Sequence, residues 1–150
     1  MFNIILGQSP DGNSVNDANG VEFHQGKVFF GSKYLNKSNQ YTTSSSKLVH
    51  KNTVLLCVRA PVGVVNITPR DICIGRGLAG IANIIYISTD FIYYWLQALK
   101  NDFISKATGT TFIAITGNVI QNQLIPLPPL AEQVKIISTI SKLLQLVETL

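Results

Sequence analysis

The period of the apolar residues changes once along the chain, at Ser88, and this change limits the folds open to it. Before Ser88 the apolar residues form short runs or alternate with polar ones, and turn-forming residues separate the runs. Such a pattern predicts β-strands, whereas the spacing of three and four residues that follows predicts helices. Because 150 residues rarely form two independent cores, we predict one α/β globule.

Strands are predicted wherever an apolar or β-branched run ends at a turn signal. Segments 21–24 and 27–30 are predicted to form a hairpin around Gln25-Gly26. Segments 53–59 and 62–68 are predicted to pair across Ala60-Pro61. The other predicted strands are 2–6, 72–74 and 81–87.

The first predicted helix begins at Asp90, whose side chain suits the N-cap position. Its apolar residues recur on one side at helical spacing: Phe91, Trp95, Leu96, Leu99 and Phe103. We expect this helix to end before Gly109, and we predict one more short strand at 112–116.

A second helix is predicted after Pro129, and it needs a partner helix to cover its apolar side. Residues 124–129 include three prolines and predict an extended, stiff exit over which the globule does not fold back. From Leu130 onward, apolar residues at spacings of three and four lie on one side of the helix, as in the seam of a two-stranded coiled coil. They are Ile136, Ile137, Ile140, Leu143, Leu144, Val147 and Leu150. We therefore divide the chain into a globular domain, 1–128, and a long coiled-coil-like helix, 129–150.

Positive charge is concentrated between residues 31 and 89, where seven basic residues meet one acid and the net charge is +6. The segment 31–52 alone holds four lysines, two tyrosines and many short polar side chains without any acid. Lysines neutralise phosphates, and amide and hydroxyl side chains reach the edges of bases. This segment therefore predicts a nucleic-acid contact, with an ordinary solvated loop as the alternative.

Several classes of function are excluded by the spacing of the residues that they need. The segment 75–80, GRGLAG, matches a dinucleotide-binding pattern, but a strand-like run follows it where a helix is required. The two cysteines and two histidines lack the spacing of a metal site, so we expect no metal. Cys57 and Cys73 are predicted to be buried thiols of a cytoplasmic protein, and no apolar run is long enough to span a membrane.

The sequence also lacks the spacing of a recognised catalytic nucleophile or of a phosphate-binding loop. His24 and His50 have no carboxylate or nucleophile partner in the sequence, and we predict them to be surface or hairpin residues. We therefore expect a binding protein and not an enzyme.

Short blocks in a fixed order resemble the target recognition domain of the DNA specificity subunits of type I restriction-modification systems. The blocks are GQSP at 7–10, FHQG at 23–26 with FFG at 29–31, VRAPVGVV at 58–65, IGRGLA at 74–79, ATGTTF at 107–112 and IPLPPLAEQ at 125–133. They cover nearly the whole chain, and the last block leads into a helix as in that family.

The resemblance implies an α/β globule with a curved mixed sheet and a flanking helix, followed by a spacer helix. Subunits of this family carry two such domains, each of which contacts one half of a split site in double-stranded DNA. They are not catalytic and need no cofactor, but they recruit methyltransferase subunits that use S-adenosylmethionine and restriction subunits that use ATP. From the resemblance we expect a chain with one such domain to be a working half-subunit that pairs with itself, a recombination cassette or a truncated product, and these alternatives stay open.

The DNA-binding residues that we predict lie mainly in the basic segment 31–52. The predicted phosphate contacts there are Lys33, Lys37, Lys47 and Lys51. The predicted contacts to bases or sugars are Gln25, Tyr34, Asn36, Asn39, Gln40 and Tyr41. Lys27, Arg59 and Arg76 complete the predicted set.

Two other functions remain open at this point. The first is a protein-interaction module, an orphan or inhibitory half-subunit that acts through its C-terminal helix without contacting DNA. The second is a small nucleotide-binding enzyme, which depends only on the glycine pattern at 75–80.

Overall fold

The computed structural model describes residues 3–45, 47–83 and 86–149. In chain order its strands are β1 (Asn3–Leu6), β2 (Val15–Asn16), β3 (Val21–His24), β4 (Tyr41–Thr42), β5 (Leu48–Val49), β6 (Val54–Cys57), β7 (Val65–Ile67), β8 (Ile72–Ile74) and β9 (Leu78–Ala82). Its helices are α1 (Thr89–Ala98), α2 (Lys100–Ser105), α3 (Gly117–Gln121) and α4 (Leu130–Glu148). Within the described residues the strands form two sheets, which confirms the α/β class.

The first sheet has the order β1-β9-β6-β7 and is antiparallel throughout. The predicted pairing across Ala60-Pro61 is confirmed, because Val54 on β6 lies opposite Ile67 on β7. Residues of β6 alternate between two apolar clusters, with Leu56 in one and Leu55 in the other. Both faces of this strand are covered, which explains why its sequence is a continuous apolar run.

The second sheet has the order β2-β4-β3-β8-β5 and is mixed, because β3 and β8 run parallel. The predicted hairpin around Gln25-Gly26 is wrong, since Lys27–Phe29 forms one turn of 3-10 helix. Strand β3 pairs with β4 along one side and with β8 along the other. Both of its edges are occupied, so segment 27–30 has no edge to join.

The glycine-rich segment 75–80 is partly a strand, because β9 begins at Leu78 and ends at Ala82. The prediction of a strand over 81–87 is therefore misplaced, and Ile84 and Ile85 lie outside the described residues. A Cβ atom added to Gly80 would lie 2.6 Å from Cγ1 of Val49. Close packing of β9 accounts for this glycine, and the pattern leads into this strand where a dinucleotide site requires a helix.

Helix α1 begins two residues earlier than predicted, with Ser88 rather than Asp90 as its N-cap. The Ser88 hydroxyl accepts a hydrogen bond of 3.1 Å from the backbone N–H of Phe91, and Asp90 lies in the first turn. Buried residues of α1 and α2, among them Ile92 and Phe103, pack on the first sheet. The predicted strand at 112–116 is reduced to isolated bridges, and α3 follows it.

Helix α4 is joined to the globule through its first two turns. Gln133 is 1% exposed, and its side-chain amide accepts from the Ser88 N–H and donates to the carbonyls of Tyr86 and Pro128 at 2.8–3.0 Å. Ile136 and Ile137 pack against the first apolar cluster. The expectation that the stiff exit keeps the globule off the helix is therefore wrong, because Gln133 bonds to backbone groups just before α1 as well as to Pro128 at the end of the exit.

The outer half of α4 is exposed, including Leu143, Leu144 and Val147. The predicted long helix is therefore present, but a coiled-coil spacer is not visible in this chain, and Leu150 lies outside the described residues. In the ranges that the structure describes, no helix is long and apolar enough to cross a bilayer.

Candidate nucleic-acid interface

Three segments of the second sheet meet at one of its ends, where strands β3 and β8 finish. Strands β3 and β8 are parallel, so Gln25 after β3 and Arg76 after β8 leave the sheet at the same end. The backbone N–H of Gly75 donates to the carbonyl of His24 at 2.8 Å, and the N–H of Ile74 donates to that of Lys47 at 2.9 Å. The topology thus brings Gln25, Lys47 and Arg76 together from distant parts of the sequence.

Gln25 is in close contact with Ser9, Gly75 and Gly77. The Ser9 hydroxyl donates a hydrogen bond of 2.9 Å to Oε1 of Gln25. A Cβ atom on Gly75 would overlap the Gln25 amide, and a Cβ atom on Gly77 would overlap the Gln25 carbonyl oxygen. Gly75 therefore provides the space for this exposed amide, which the Ser9 bond orients, and Gly77 provides the space for the Gln25 backbone.

Residues 25–28 separate two shallow grooves. One, of about 200 Å³, is lined by Gln25, Gly26, Lys27, Cys57, Arg59, Ala60, Pro61 and Gly77. The other, of about 260 Å³, is lined by Gln25, Gly26, Val28, Phe29, Asn39 and Gln40. Gln25 lines both grooves. Asn39 and Gln40 therefore lie on one side of it, and Arg59 lies on the other.

The loop 107–114 extends the same end of the molecule. The backbone N–H of Ala60 donates to the carbonyl of Ile113 at 3.3 Å, and Arg59 forms a β-bridge with Ala114. Gly109 has a φ of 112°, which allows the chain to reverse there. Thr110 and Thr111 are exposed in this turn.

We call this end of the molecule the basic edge, defined by Gln25, Lys27, Asn39, Gln40, Lys47, Arg59 and Arg76. Among the described residues, none of its four cations forms an ion pair with a carboxylate. Lys27, Arg59 and Arg76 are exposed, and Lys47 is half-buried. Unpaired cations around neutral amides form a surface that suits a polyanion with readable polar edges.

Other residues from the predicted DNA-binding set lie away from the basic edge. Lys33 forms an ion pair of 2.9 Å with Asp90, and its ammonium group lies 5.2–5.7 Å from the rings of Tyr34, Tyr93 and Tyr94. Burial lowers the pKa of Lys33, but the hydrogen bond and charge of Asp90 and the nearby tyrosines together raise the pKa above its usual value. Lys33 is thus held at the N-terminus of α1.

Lys51 lies at the end of the second sheet that is opposite to the basic edge. It follows β5, which runs antiparallel to β8, and its backbone N–H donates to Asp71 just before β8. Lys37 and Asn36 are exposed on the loop that precedes Asn39, and Tyr41 is half-buried on β4. The basic segment 31–52 therefore wraps around the sheet and does not form one surface.

Sequence analysis missed a buried ionic cluster behind the basic edge. His24 is 1% exposed, not a surface residue as predicted, and its Nε2 lies 2.8 Å from Oε1 of Glu22. Arg70 donates to both carboxylate oxygens of Glu22, from Nε at 2.5 Å and from Nη2 at 2.6 Å. Glu22 and His24 are two residues apart on a strand and so share a face, which is the one signal that the sequence offers.

The pKa values in this cluster show which groups carry charge. Burial alone would raise the pKa of the Glu22 carboxyl, but hydrogen bonds from Arg70, the Ser38 amide and His24 lower it to about 2. Burial lowers the pKa of His24 against the opposing effect of Glu22. At neutral pH the cluster is therefore a Glu22–Arg70 ion pair with a neutral imidazole beside it.

The described residues contain no group of three or more His, Cys, Asp or Glu side chains that is placed to bind a metal ion. Cys57 and Cys73 are both buried, as predicted. Burial raises the pKa of the Cys57 thiol to about 12, so this group is protonated and unreactive at neutral pH. His50, by contrast, is exposed and bonded to Asp71.

Known proteins resemble this chain in sequence along its whole length. The family model described as type I restriction modification DNA specificity domain matches residues 1–150. A putative type I restriction enzyme MjaX specificity subunit from Methanocaldococcus jannaschii is 43% identical over 149 residues, which is 98% of this chain and 35% of that protein. The chain thus spans about a third of the length of this relative.

Solved structures share the fold. An HsdS subunit from Thermoanaerobacter tengcongensis has a TM-score of 0.87 and 34% identity, over 99% of this chain and 36% of that one. A chain from a study of complex assembly and conformational transition in the type I R-M system has a TM-score of 0.87 and 36% identity, over 99% of this chain and 37% of that one.

A more distant structure, the S subunit of a type I restriction-modification system from M. genitalium, has a TM-score of 0.69 at 20% identity and supports the fold alone. Assignment to a family depends on two other findings. The family model matches every residue, and one relative is 43% identical. This chain belongs to the family of type I restriction modification DNA specificity domains.

Proposed function

We propose that this chain recognises a sequence in double-stranded DNA through the basic edge, as one recognition domain of a type I restriction-modification specificity subunit. The observation that supports this function is the convergence of unpaired cations and oriented amides at one end of the second sheet. A surface of this composition combines charge for the phosphates with donors and acceptors for the bases.

Within the proposed interface the roles divide by chemistry. The cations Lys27, Lys47, Arg59 and Arg76 would contact phosphates and fix the position of the domain on the duplex. Gln25, Asn39 and Gln40 would contact base edges, since an amide can pair with the N6 and N7 atoms of adenine in the major groove. Gln25 is the best prepared of the three, because Ser9 donates to its amide oxygen and Gly75 leaves the space in which the amide lies.

The proposed partners follow from the family and from the exposed helix. Methyltransferase subunits that bind S-adenosylmethionine and restriction subunits that bind ATP would perform the chemistry, in the cytoplasm, while this chain supplies the sequence specificity. A module that acts through α4 alone is not favoured, because it gives no role to the unpaired cations of the basic edge.

DNA recognition is tested by selection from a pool of random 30-base-pair duplexes at moderate salt. We expect the full chain to enrich a short sequence and to bind it at least a hundredfold more tightly than random duplex, in line with specific binders. The affinity for either duplex should fall steeply as salt rises. Binding without any enriched sequence would contradict the proposal, as would an affinity that salt does not change.

Self-association through α4 is a separate proposal, and it concerns the outer half of the helix. Ile136 and Ile137 are partly buried against the globule, which leaves Ile140, Leu143, Leu144 and Val147 for a partner. An antiparallel second copy would bury this side and hold two recognition domains apart. The seam is short, so we expect a weak dimer with a dissociation constant in the micromolar range, about −8 kcal/mol.

Sedimentation over a range of concentrations measures this dimer. Ile140→Asp combined with Leu144→Asp should give a monomer, because it places two charges in the apolar seam. Ser138→Asp combined with Gln145→Asp adds the same charges on the opposite side of the helix and should leave the dimer unchanged. A monomer at every concentration of the unchanged chain would contradict self-association.

A further inference from the structure

Arg70 links three parts of the chain that lie far apart in the sequence. Its Nε and Nη2 atoms donate to Glu22 on β3, as described above. Its Nη2 also donates to the carbonyl of Asn36 at 2.8 Å, and its Nη1 donates to that of Leu35 at 3.3 Å. Arg70 therefore ties the loop after Leu35 to the second sheet.

Glu22 completes this attachment from the other side. Its Oε1 accepts a hydrogen bond of 2.7 Å from the backbone N–H of Ser38. The Ser38 hydroxyl in turn accepts from the N–H of Gln40 at 3.0 Å, and the Gln40 carbonyl accepts from the N–H of Phe23 at 2.8 Å. The loop from Asn36 to Gln40 is thus held mainly by side chains, because β4 contributes only two residues.

The held loop carries two amides of the basic edge. Asn39 and Gln40 follow Ser38 directly, and both line the groove of about 260 Å³ that Gln25 also lines. An error of an ångström in their position would remove a hydrogen bond to a base, since such bonds need a donor–acceptor distance near 2.9 Å. The orientation of these amides therefore depends on the contacts of Glu22 and Arg70.

The chemistry of Arg70 fits a structural role and not a phosphate contact. Its side chain is 28% exposed, and its donors point at one carboxylate and two carbonyl groups. Glu22 is 9% exposed at its side chain and stays ionised, because its hydrogen bonds lower its pKa to about 2. A phosphate that approached Arg70 would have to displace this paired carboxylate.

We propose that Glu22 and Arg70 are positioning residues for DNA specificity, which hold Asn39 and Gln40 against the base edges without contacting DNA themselves. This inference rests on the proposed function of the basic edge. A lysine at position 70 keeps the charge but cannot form the forked bond to Glu22 together with the bonds to the two carbonyls.

The test compares Arg70→Lys and Arg70→Gln with the unchanged full chain, on the enriched duplex and on random duplex. For both variants we expect the ratio of the two affinities to fall about tenfold, the discrimination of one base contact. The affinity for random duplex and its salt slope should not change. Lys142→Gln on α4 removes one charge as Arg70→Gln does, and it should change neither quantity.

A milder variant keeps the test independent of folding. Ser38→Ala removes only the hydroxyl that accepts from Gln40, and it should lower the same ratio while the melting temperature stays within about 2 °C. Hydrogen exchange at the backbone N–H groups of Ser38 and Gln40 should be faster in Arg70→Lys than in the unchanged chain.

Two results would overturn the inference while leaving the proposed function intact. One is full rescue by Arg70→Lys with equal weakening on both duplexes in Arg70→Gln, which would make Arg70 a phosphate contact. The other is an unchanged affinity ratio in all three variants. An unchanged chain that enriches no sequence would overturn the proposed function and this inference together.

Discussion

We expect the simultaneous replacement of Lys27, Lys47, Arg59 and Arg76 by Gln to weaken duplex DNA binding about a thousandfold at 0.15 M salt. Each phosphate contact releases about 0.9 counterion, so four contacts contribute up to ~3.6 to the slope of log affinity against log salt. At this salt concentration the same slope corresponds to a factor of ~10³ in affinity. Titration of labelled duplex at several salt concentrations measures both quantities.

A matched control removes the same charge from other surfaces. Replacing Lys51, Lys100, Lys135 and Lys142 by Gln also lowers the net charge by four, but these lysines lie outside the basic edge. We expect only a small, long-range loss of affinity for this variant, because salt screens distant charges beyond about 8 Å. If the control flattens the salt slope as much as the first variant does, the DNA surface lies elsewhere.

The second large effect concerns Gln133, which we expect to be the most important polar residue of the junction between α4 and the globule. Gln133→Ala removes three hydrogen bonds and leaves the Ser88 N–H and two carbonyl groups without their partner. Each buried group left in this way costs about 1–3 kcal/mol unless water replaces the bond. We expect the free energy of unfolding to fall by about 2–4 kcal/mol.

Urea denaturation of Gln133→Ala and Gln145→Ala separates this effect from helix propensity. Gln145 lies on the exposed half of the same helix, so its replacement by Ala should change stability by less than about 0.5 kcal/mol. Equal stability of the two variants would show that the Gln133 bonds make no net contribution.

Sequence analysis predicted correctly those strands whose pairing partner is adjacent in the sequence. Segments 53–59 and 62–68 are apolar, adjacent and separated by a turn, and they form β6 and β7 as expected. Segment 27–30 has a similar composition but no free strand edge, since β4 and β8 occupy both sides of β3. Composition alone does not carry that information, because edge occupancy depends on pairing between distant segments.

The candidate site was predicted in its residue types but not in its arrangement. Charge density favoured the segment 31–52, yet Lys33 is paired with Asp90 and Lys51 lies at the far end of the sheet. Arg76 joins Gln25 because β3 and β8 are parallel. Arg59 follows another strand, β6, and joins them because the N–H of Val58 donates to the carbonyl of Gly77. The role of Glu22 and Arg70 depends on contacts across 48 residues, which no local pattern indicates.

In the proposed assembly of two recognition domains, the junction at Gln133 would have a mechanical consequence. Helix α4 has 19 residues and is therefore about 28 Å long, so it acts as a lever arm anchored at one end. A tilt of about 10° at the anchor would move the free end by roughly 5 Å, more than the ~3.4 Å rise of one base pair. Three hydrogen bonds from one buried amide restrain that angle. The accuracy with which two half-sites are measured along DNA would thus depend on the stiffness of a joint that lies far from any base.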